Sequence, residues 1–443
     1  MNSMINNVFR FQKSIEKLYN IGLVFIESLI YIFLVRIFFK EDIIFFFYGY
    51  VLLTFLYAFI LNVFMKIYGG HQLSFSKFTD LIWSFSLALF ITNIISYLQN
   101  SLIAVKLLNS LYMLYIVLIQ IIIGTIIIYI QWKSIYKYFP PKETLLIYNS
   151  DYSNILNKLK INGDRNFNIT TFIKQEDIEK NTNQLSQHEH VLLLDVSENY
   201  KEKIIKKCYE INKIVYIIPD IADVIINSAS NFHLIDTPLL ALNRLGPTQL
   251  EKIYKRLIDI IVSLIGILVF FPIIFVVGIF IKLEDKGPIF YNQTRLTQYG
   301  KEFTIYKLRS MKIDAESDGS PQLAKYNDDR ITNIGKIIRK FRLDEIPQLI
   351  NILKGDMSIV GPRPERPELA EEIYKELPEF KFRLKVKAGL TGYAQVYGKY
   401  NTSLKDKLLL DLMYIENYSL MLDFKIILMT IKIIFVKEST EGF

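Results

Sequence analysis

The sequence predicts a membrane-embedded helical protein that also carries α/β structure. Hydrophobic residues make up 51% and aromatic residues 14% of the 443 residues, and the mean hydropathy is +0.25. These values are too apolar for an ordinary soluble domain. Long apolar runs fill the N-terminal third, whereas short apolar runs alternate with polar stretches in the middle of the chain, a pattern typical of a βαβ domain.

Four apolar runs near the N-terminus predict four transmembrane helices. They cover residues 21–39, 43–65, 81–98 and 107–130. Each is long enough to cross a hydrocarbon core of about 30 Å, which takes roughly 20 residues. The first run is too long to be a removable signal peptide. We therefore expect residues 1–140 to form a four-helix transmembrane region.

Basic residues predict the orientation of these helices. Arg10, Lys13 and Lys17 precede the first run, and Lys133 and Lys137 follow the fourth. Because cytoplasmic flanks are enriched in Lys and Arg, both ends of the four-helix region are expected in the cytoplasm. Everything after Lys133 then lies on the cytoplasmic side.

Two charged residues, Glu27 and Arg36, lie inside the first run. An ionisable residue at membrane depth is costly and suggests a function. Arg36 is close enough to a helix end to reach the interface with its long side chain, and Glu27 can face a neighbouring helix. We interpret both as structural.

Residues 141–245 predict a small βαβ domain. The apolar runs 145–148, 167–172, 191–194 and 214–218 have the length of buried strands. A dinucleotide-binding version would carry Gly-x-Gly-x-x-Gly after its first strand, but residues 149–153 read NSDYS. The missing glycines argue against a nucleotide as the ligand of this domain.

Charge and cysteine content exclude several function classes. The net charge of +8 suits anionic headgroups and phosphorylated substrates. No clustered basic helix or nucleic-acid-binding motif is present, so nucleic acid is not an expected partner. Cys208 is the only cysteine, which excludes an internal disulfide and a multi-cysteine metal site.

A fifth apolar stretch, residues 257–283, has Pro272 at its centre and basic residues on both flanks: Lys252, Lys255, Arg256, Lys282 and Lys286. A proline in mid-helix removes a hydrogen bond and bends the helix. The stretch is therefore either a re-entrant helix that enters and leaves on the cytoplasmic face, or a fifth transmembrane helix that would place the C-terminal region outside the cell.

Residues 342–364 read RLDEIPQLINILKGDMSIVGPRP and carry the most informative motif. Asp344 and Glu345 are adjacent carboxylates, Gly355-Asp356 follows, and Pro362-Arg363-Pro364 closes the segment. Neighbouring helical side chains point about 100° apart, so the two carboxylates can take different roles on one ligand. One can attack a phosphorus atom while the other holds a metal, which indicates phosphate chemistry.

This segment resembles the signature of the bacterial sugar transferases, the monotopic phosphoglycosyl transferases that load a sugar phosphate onto a polyprenyl phosphate. The likeness includes GPIFYNQTR from residue 287, FTIYKLRSMKIDAE from 303, DDRITNIGKIIRK from 328 and AGLTGYAQVYGKYNT from 388, and it covers nearly all of residues 250–436. It implies four transmembrane helices, a degenerate Rossmann-like βαβ domain, and a mostly helical monotopic catalytic domain, residues 250–443, with a re-entrant helix at 257–283.

The resemblance also implies a reaction. A hexose-1-phosphate passes from a UDP-sugar to undecaprenyl phosphate, UMP is released, and capsular or exopolysaccharide synthesis begins. Asp344 is the implied nucleophile, Glu345 the implied ligand of Mg²⁺, and Arg363 an expected phosphate contact because its guanidinium can bind two oxygens at once. The implied location is the cytoplasmic face of the bacterial inner membrane, and the resemblance also allows a homodimer through the N-terminal regions.

Further residues are expected to bind substrate or shape the pocket: Arg309, Arg339, Arg342, Asp356, Pro362, Pro364 and Gln395. Arg339 and Arg342 are expected to flank the two carboxylates on one helix. Lys307 and Arg309 match a block of the family, and a role in ion pairs within the protein fits them as well as a role toward substrate. The alternating Lys381, Arg383, Lys385 and Lys387 are interpreted as a solvated strand face.

One position departs from the family pattern, because Thr297 stands where many relatives have glycine. Two other functions remain open. A non-catalytic membrane scaffold would leave the adjacent carboxylates unexplained. A polytopic transferase that works by direct attack needs catalytic loops between many spans, whereas this chain concentrates its polar motifs in one block.

Overall fold

The computed structural model describes residues 2–43, 47–150, 152–153, 156–157, 167–242, 246–313, 315, 328–399 and 402–435. Contacts between residues divide the chain into two compact units, Met1–Ile218 and Pro219–Phe443. Residues 44–46 of the second predicted span, and Asp151 in the turn without glycine, lie outside the described residues.

The first unit begins with four long helices: α1 Asn2–Phe38, α2 Phe47–Tyr68, α3 Phe78–Ile103 and α4 Ser110–Tyr138. All four are long and apolar enough to cross a membrane, so the predicted apolar helices are present. Arg36 is exposed near the end of α1, and its guanidinium lies 4.1 Å from the centre of the Tyr50 ring, a cation–π contact.

Glu27 is 0% exposed and lies inside the bundle of these helices. A Cβ atom on Gly124 of α4 would lie 2.7 Å from Glu27 Oε1, so the carboxylate packs directly against α4. Gln120 donates to the Glu27 backbone carbonyl at 3.1 Å and accepts from Asn93 at 3.0 Å and from Tyr57 at 3.2 Å. Glu27 therefore faces neighbouring helices, as predicted.

A parallel four-stranded sheet completes the first unit. Its strands are β1 Lys142–Tyr148, β2 Phe167–Lys174, β3 His190–Leu194 and β4 Ile214–Ile217, in the order β2-β1-β3-β4. Leu145 and Ile147 join one apolar cluster and Leu146 joins another, so both faces are covered, as parallel sheets require. Helices α5 Thr182–Gln187 and α6 Glu198–Glu210 lie between the strands in sequence. The four predicted strands are confirmed.

The second unit starts earlier than the predicted catalytic domain. Helix α7, Ile221–Asn227, contributes Val224 to the core of this unit, and Ser228 donates to Glu416 at 3.2 Å. The hairpin β5 Ser230–Leu234 and β6 Thr237–Ala241 follows. Residues 219–242, which the sequence assigned to the middle domain, therefore pack with the C-terminal unit.

Helix α8 spans Gln249–Asp285 and contains the predicted stretch 257–283. Thr248 caps it with Glu251, and it ends at Lys286, whose φ of 58° is left-handed. It continues through Pro272 as one helix, so a bend at this residue stays a prediction. Its apolar surface is almost entirely exposed, and it too is long and apolar enough to cross a membrane.

The rest of the second unit surrounds a short parallel strand pair with helices. The antiparallel hairpin β7 Phe290–Leu296 and β8 Glu302–Leu308 comes first. Helices α9 Asn333–Lys340 and α10 Gln348–Lys354 then lead to β9 Ser358–Val360, which pairs with β10 Gly389–Thr391. Between these strands lie α11 Pro367–Glu376 and a 3-10 helix Pro378–Lys385, and after them follow α12 Tyr393–Tyr397, α13 Leu404–Glu416 and α14 Leu420–Phe435.

Candidate active site

The two adjacent carboxylates lie in a 3-10 turn, Leu343–Glu345, between α9 and α10. The prediction that Arg339, Arg342 and the carboxylates share one helix is wrong. Arg342 adopts a left-handed φ of 54°, which ends α9 and redirects the chain. Such a conformation costs a non-glycine residue about 1–2 kcal/mol and is typical of functional sites. Asp344 and Glu345 therefore point about 120° apart, the angle of a 3-10 turn.

Glu345 is buried among three cations. Arg363 donates to its Oε1 at 2.8 Å, Lys307 Nζ lies 3.7 Å from the same oxygen, and Arg342 Nη1 lies 3.6 Å from Oε2. Burial opposes ionisation of Glu345, but the charges of Arg363, Lys307 and Arg342 outweigh it and hold the pKa well below its usual value. Glu345 is thus a fixed anion.

The pKa of Asp344 is shifted upward, whereas that of Glu345 is shifted downward. Burial and the charge of Glu345 raise its pKa, although Lys307, Arg339 and Arg363 partly offset the effect. Burial lowers the pKa of Lys307 to about 8 despite the attraction of Glu345. Two neighbouring carboxylates are thereby given different proton affinities, an arrangement that assigns different chemical roles to each.

The turn that carries Arg363 is held on both sides. Pro362 accepts from the Gly389 amide at 2.9 Å, and Pro364 accepts from the Arg295 guanidinium at 3.1 Å. Each of these groups belongs to a strand or directly adjoins one. The Pro-Arg-Pro segment is therefore held on both sides, and its arginine donates to Glu345.

A buried charge network lies beside this turn. Arg383 donates to Asp411 at 2.7 and 3.0 Å and to Glu365 at 3.2 Å, and Lys407 also pairs with Glu365. The interpretation of Arg383 as part of a solvated strand is wrong, because the segment is a 3-10 helix and its side chain is 3% exposed. Phe380 and Arg383 are three residues apart, so both lie on the buried face of that helix.

The other predicted residues make structural contacts. Buried Arg309 pairs with Asp285 of α8, and Gln395 donates to the Leu390 carbonyl at 3.4 Å. Asp356 accepts through its backbone carbonyl from Thr297. Their roles toward substrate stay predictions. Arg339 lies close enough to Asp344 for the two charges to influence each other.

The structure accommodates Thr297 at the position where many relatives have glycine. Its φ of −124° is extended backbone that any residue adopts. Its hydroxyl donates to the Asp356 carbonyl at 2.8 Å and accepts from the Ala388 amide at 3.2 Å. Threonine therefore joins the β7–β8 hairpin to the segments around β9 and β10, a connection that glycine cannot make.

Two residues that were not predicted as site residues, Lys307 and Arg295, lie in the observed site. Lys307 lies beside Glu345, and Arg295 holds Pro364 while the nearby Arg363 charge adds to burial in lowering its pKa to about 10. Both stand on the β7–β8 hairpin, far from the carboxylates in sequence. The alternation of β8 side chains was the available signal for Lys307, because Phe303, Ile305 and Lys307 share one face.

Asp344 and Glu345 are the residues that would hold a cation of the Mg²⁺ type. Such a cation takes one or two protein carboxylates and completes its shell with substrate phosphates and water. Among the described residues there is no group of three or more His, Cys, Asp or Glu residues that could hold a metal, so this part of the chain offers no closed cage. A divalent cation at Asp344 and Glu345 would relieve the repulsion that raises the pKa of Asp344.

Comparison with known proteins identifies the second unit. Residues 250–437 match the family model for bacterial sugar transferases. The chain is 37% identical over 236 residues to the UDP-N-acetylgalactosamine-undecaprenyl-phosphate N-acetylgalactosaminephosphotransferase of Aeromonas hydrophila, covering 53% of this chain and 55% of that protein. It is 36% identical to the UDP-glucose:undecaprenyl-phosphate glucose-1-phosphate transferase of Klebsiella pneumoniae, covering 48% of this chain and 45% of the relative.

A smaller relative is matched almost completely. The exopolysaccharide production protein PSS of Rhizobium leguminosarum is 38% identical over 44% of this chain and 98% of its own length. The chain spans about half the length of the two larger relatives. Asp344, Glu345 and Arg363 all lie within the matched region, and the chain belongs to the bacterial sugar transferase family.

Proposed function

We propose that this protein transfers a hexose-1-phosphate from a UDP-sugar to undecaprenyl phosphate and releases UMP, through an aspartyl-phosphosugar intermediate. The observation that carries the proposal is the asymmetry of the carboxylate pair: Glu345 is neutralised by Arg363, Lys307 and Arg342, whereas Asp344 has a raised pKa. A carboxylate of higher pKa is the better nucleophile, and its partner supplies fixed charge.

The first step forms the covalent intermediate. A carboxylate oxygen of Asp344 attacks the phosphorus that bears the sugar, the bond from this phosphorus to the oxygen of UMP breaks, and UMP leaves with the electron pair. Arg363 and Lys307 lie beside the carboxylates, where their charges stabilise the negative charge on the phosphoryl oxygens.

The second step regenerates the enzyme. A phosphate oxygen of undecaprenyl phosphate attacks the same phosphorus, the bond to Asp344 breaks, and the free carboxylate returns. Two steps separate cleavage of the pyrophosphate from attack by the lipid phosphate, which divides one difficult displacement into two easier ones. Mg²⁺, held by Glu345 with Asp344, would supply further neutralisation of phosphate charge when bound.

The decisive experiment traps the intermediate. Incubating the purified chain with UDP-sugar and no lipid should release one UMP per active site and leave a sugar phosphate on Asp344, detectable by mass spectrometry. Asp344→Asn should abolish the adduct and lower turnover by orders of magnitude while membrane insertion persists. Kinetics that require both substrates bound at once, without an adduct, would instead support direct attack.

The identity of the transferred sugar is a question for experiment, since the two larger relatives are named for different sugars, N-acetylgalactosamine and glucose. A panel of UDP-sugars with UMP release as readout identifies it. The named role of the smaller relative in exopolysaccharide production supports a function at the start of exopolysaccharide or capsule synthesis. A homodimer through the N-terminal regions stays a prediction.

We also propose that the second unit lies on the cytoplasmic face of the inner membrane and that α8 is re-entrant. Both ends of α8 bind the same compact unit: Arg256 donates to the Ile352 and Leu353 carbonyls, and Glu284 accepts from the Asn333 amide at 2.8 Å. A helix that crossed the bilayer would separate these contacts by about 30 Å of hydrocarbon.

Cysteine labelling tests this topology in a chain with Cys208 replaced by serine. Cysteines introduced at Lys142 and Lys301 should both be protected from a membrane-impermeant reagent added outside intact cells, and both should react after permeabilisation. Labelling at position 301 alone would show that α8 crosses the membrane.

A further inference from the structure

We propose that a groove between the tip of the β7–β8 hairpin and the 3-10 helix Pro378–Lys385 binds the nucleoside of the nucleotide sugar. The groove has a volume of about 470 Å³, within the usual range of small-molecule sites, about 300–1,000 Å³. This inference rests on the proposed function for the identity of the donor, and it assigns a place to the part of that donor which does not react.

The groove adjoins the site of chemistry. It shares three lining residues, Leu296, Tyr374 and Leu384, with a small cavity that is also lined by Arg363 of the Pro-Arg-Pro turn. The groove therefore lies beside the Pro-Arg-Pro segment, and the proposal places the nucleoside there when the pyrophosphate is at Arg363.

The walls of the groove are held by the fold. Gln298 at the hairpin tip donates to the Lys385 carbonyl at 2.9 Å, which fastens the tip to the 3-10 helix. Helix α11 forms the third side with Tyr374. The groove is thus bounded by three elements that are fixed to each other before any ligand binds.

An exposed aromatic ring stands at the hairpin tip. Tyr299 is 81% exposed and lines the groove, and its φ of 60° is uncommon for a residue other than glycine. The ring of Tyr374 has Lys381 at 4.9 Å from its centre, so one of its faces is occupied. Tyr299 is therefore the ring available to stack on a base.

The charges in the groove fit a neutral nucleoside better than a lipid or a phosphate. Glu302 and Glu371 balance Lys381 and Lys385. Carboxylates accept from ribose hydroxyls and from the base N–H, and ammonium groups donate to base carbonyls. A polyprenyl chain needs a continuous apolar path, and a phosphate needs a surplus of cations such as the one around Glu345.

The test measures equilibrium binding of UMP and of inorganic pyrophosphate to the detergent-solubilised full chain. Loss of base stacking lowers affinity by roughly 5- to 150-fold. Tyr299→Ala should therefore weaken UMP binding about tenfold or more and leave pyrophosphate binding within about twofold. Tyr299→Phe keeps the ring and should bind UMP normally, as should Tyr209→Ala, which removes an equally exposed tyrosine of α6.

The transfer assay separates the groove from the reaction. With Tyr299→Ala, the KM for the UDP-sugar should rise while kcat at saturation and the yield of covalent adduct persist. Unchanged UMP affinity, an equal loss of both ligands, or a rise in the KM for undecaprenyl phosphate alone would overturn the assignment. Wild-type protein that binds no UMP would overturn both proposals, whereas tight UMP binding that depends on Tyr299, without transfer, would overturn the proposed function alone.

Discussion

Arg383 offers the sharpest test of what holds the active-site turn in place. Replacing it with methionine keeps much of its volume but removes two hydrogen bonds to Asp411 and one to Glu365. The Asp411 side chain is 2% exposed and would be left with an uncompensated charge. Breaking one side of a buried ion pair costs about 3–5 kcal/mol.

This loss converts into a measurable change in melting temperature. For a unit of this size, 1 kcal/mol shifts Tm by about 2–4 °C, so Arg383→Met should lower Tm by roughly 6–20 °C. Burial already raises the pKa of Asp411 in the intact network. Because an acid with a raised pKa is destabilising in its charged form, the deficit of the variant should grow as pH rises and shrink as Asp411 becomes protonated.

Two controls separate burial from charge. Lys405→Met breaks a half-exposed ion pair to Asp220 of 2.8 Å, and such a pair contributes at most about 1 kcal/mol. The double variant Arg383→Met with Asp411→Leu replaces the buried pair by apolar groups and should regain most of the loss. Thermal unfolding of the purified chain in detergent is the assay. A Tm for Arg383→Met within about 2 °C of the Lys405→Met value would refute the reasoning.

Three further predictions concern the site itself. Glu345→Gln should cripple transfer by weakening the metal site, and excess Mg²⁺ should restore part of the initial rate; no response to Mg²⁺ would argue against a metal role. Because the pKa of Lys307 is lowered to about 8, transfer should decline as pH rises above that value, and Lys307→Arg should move this alkaline limit upward in a pH–rate profile. A Cβ on Gly361 would lie 2.3 Å from the Lys387 carbonyl oxygen, so Gly361→Ala should cost about 1–3 kcal/mol in thermal unfolding and reduce transfer, whereas Gly22→Ala, with open space around it, should do neither.

The sequence by itself determined the features that depend on local pattern. Apolar runs of about 20 residues are long enough to cross a membrane, and the helices α1 to α4 coincide with them. Short apolar runs between polar stretches became the four parallel strands. Arg363 and Glu345 stand in one short segment of the sequence, but their pairing was not predicted, because Arg363 was expected to contact a phosphate.

Only the tertiary structure decided the features that depend on distant contacts. Lys307 meets Glu345 because the β7–β8 hairpin packs beside the 3-10 turn; the alternation along β8 indicates which face Lys307 takes, but it does not identify Glu345 as the partner. The sequence predicted a solvated Arg383 because basic residues occur at every second position from 381 to 387. In the structure Asp411 of α13 compensates the charge of Arg383, so the side chain can be buried. Helix α7 joined the second unit through contacts with a helix nearly 200 residues later, Ser228 with Glu416 among them. Local pattern determines which segments form helices and strands, but a buried charge is stable only where the fold brings its partner within hydrogen-bonding distance.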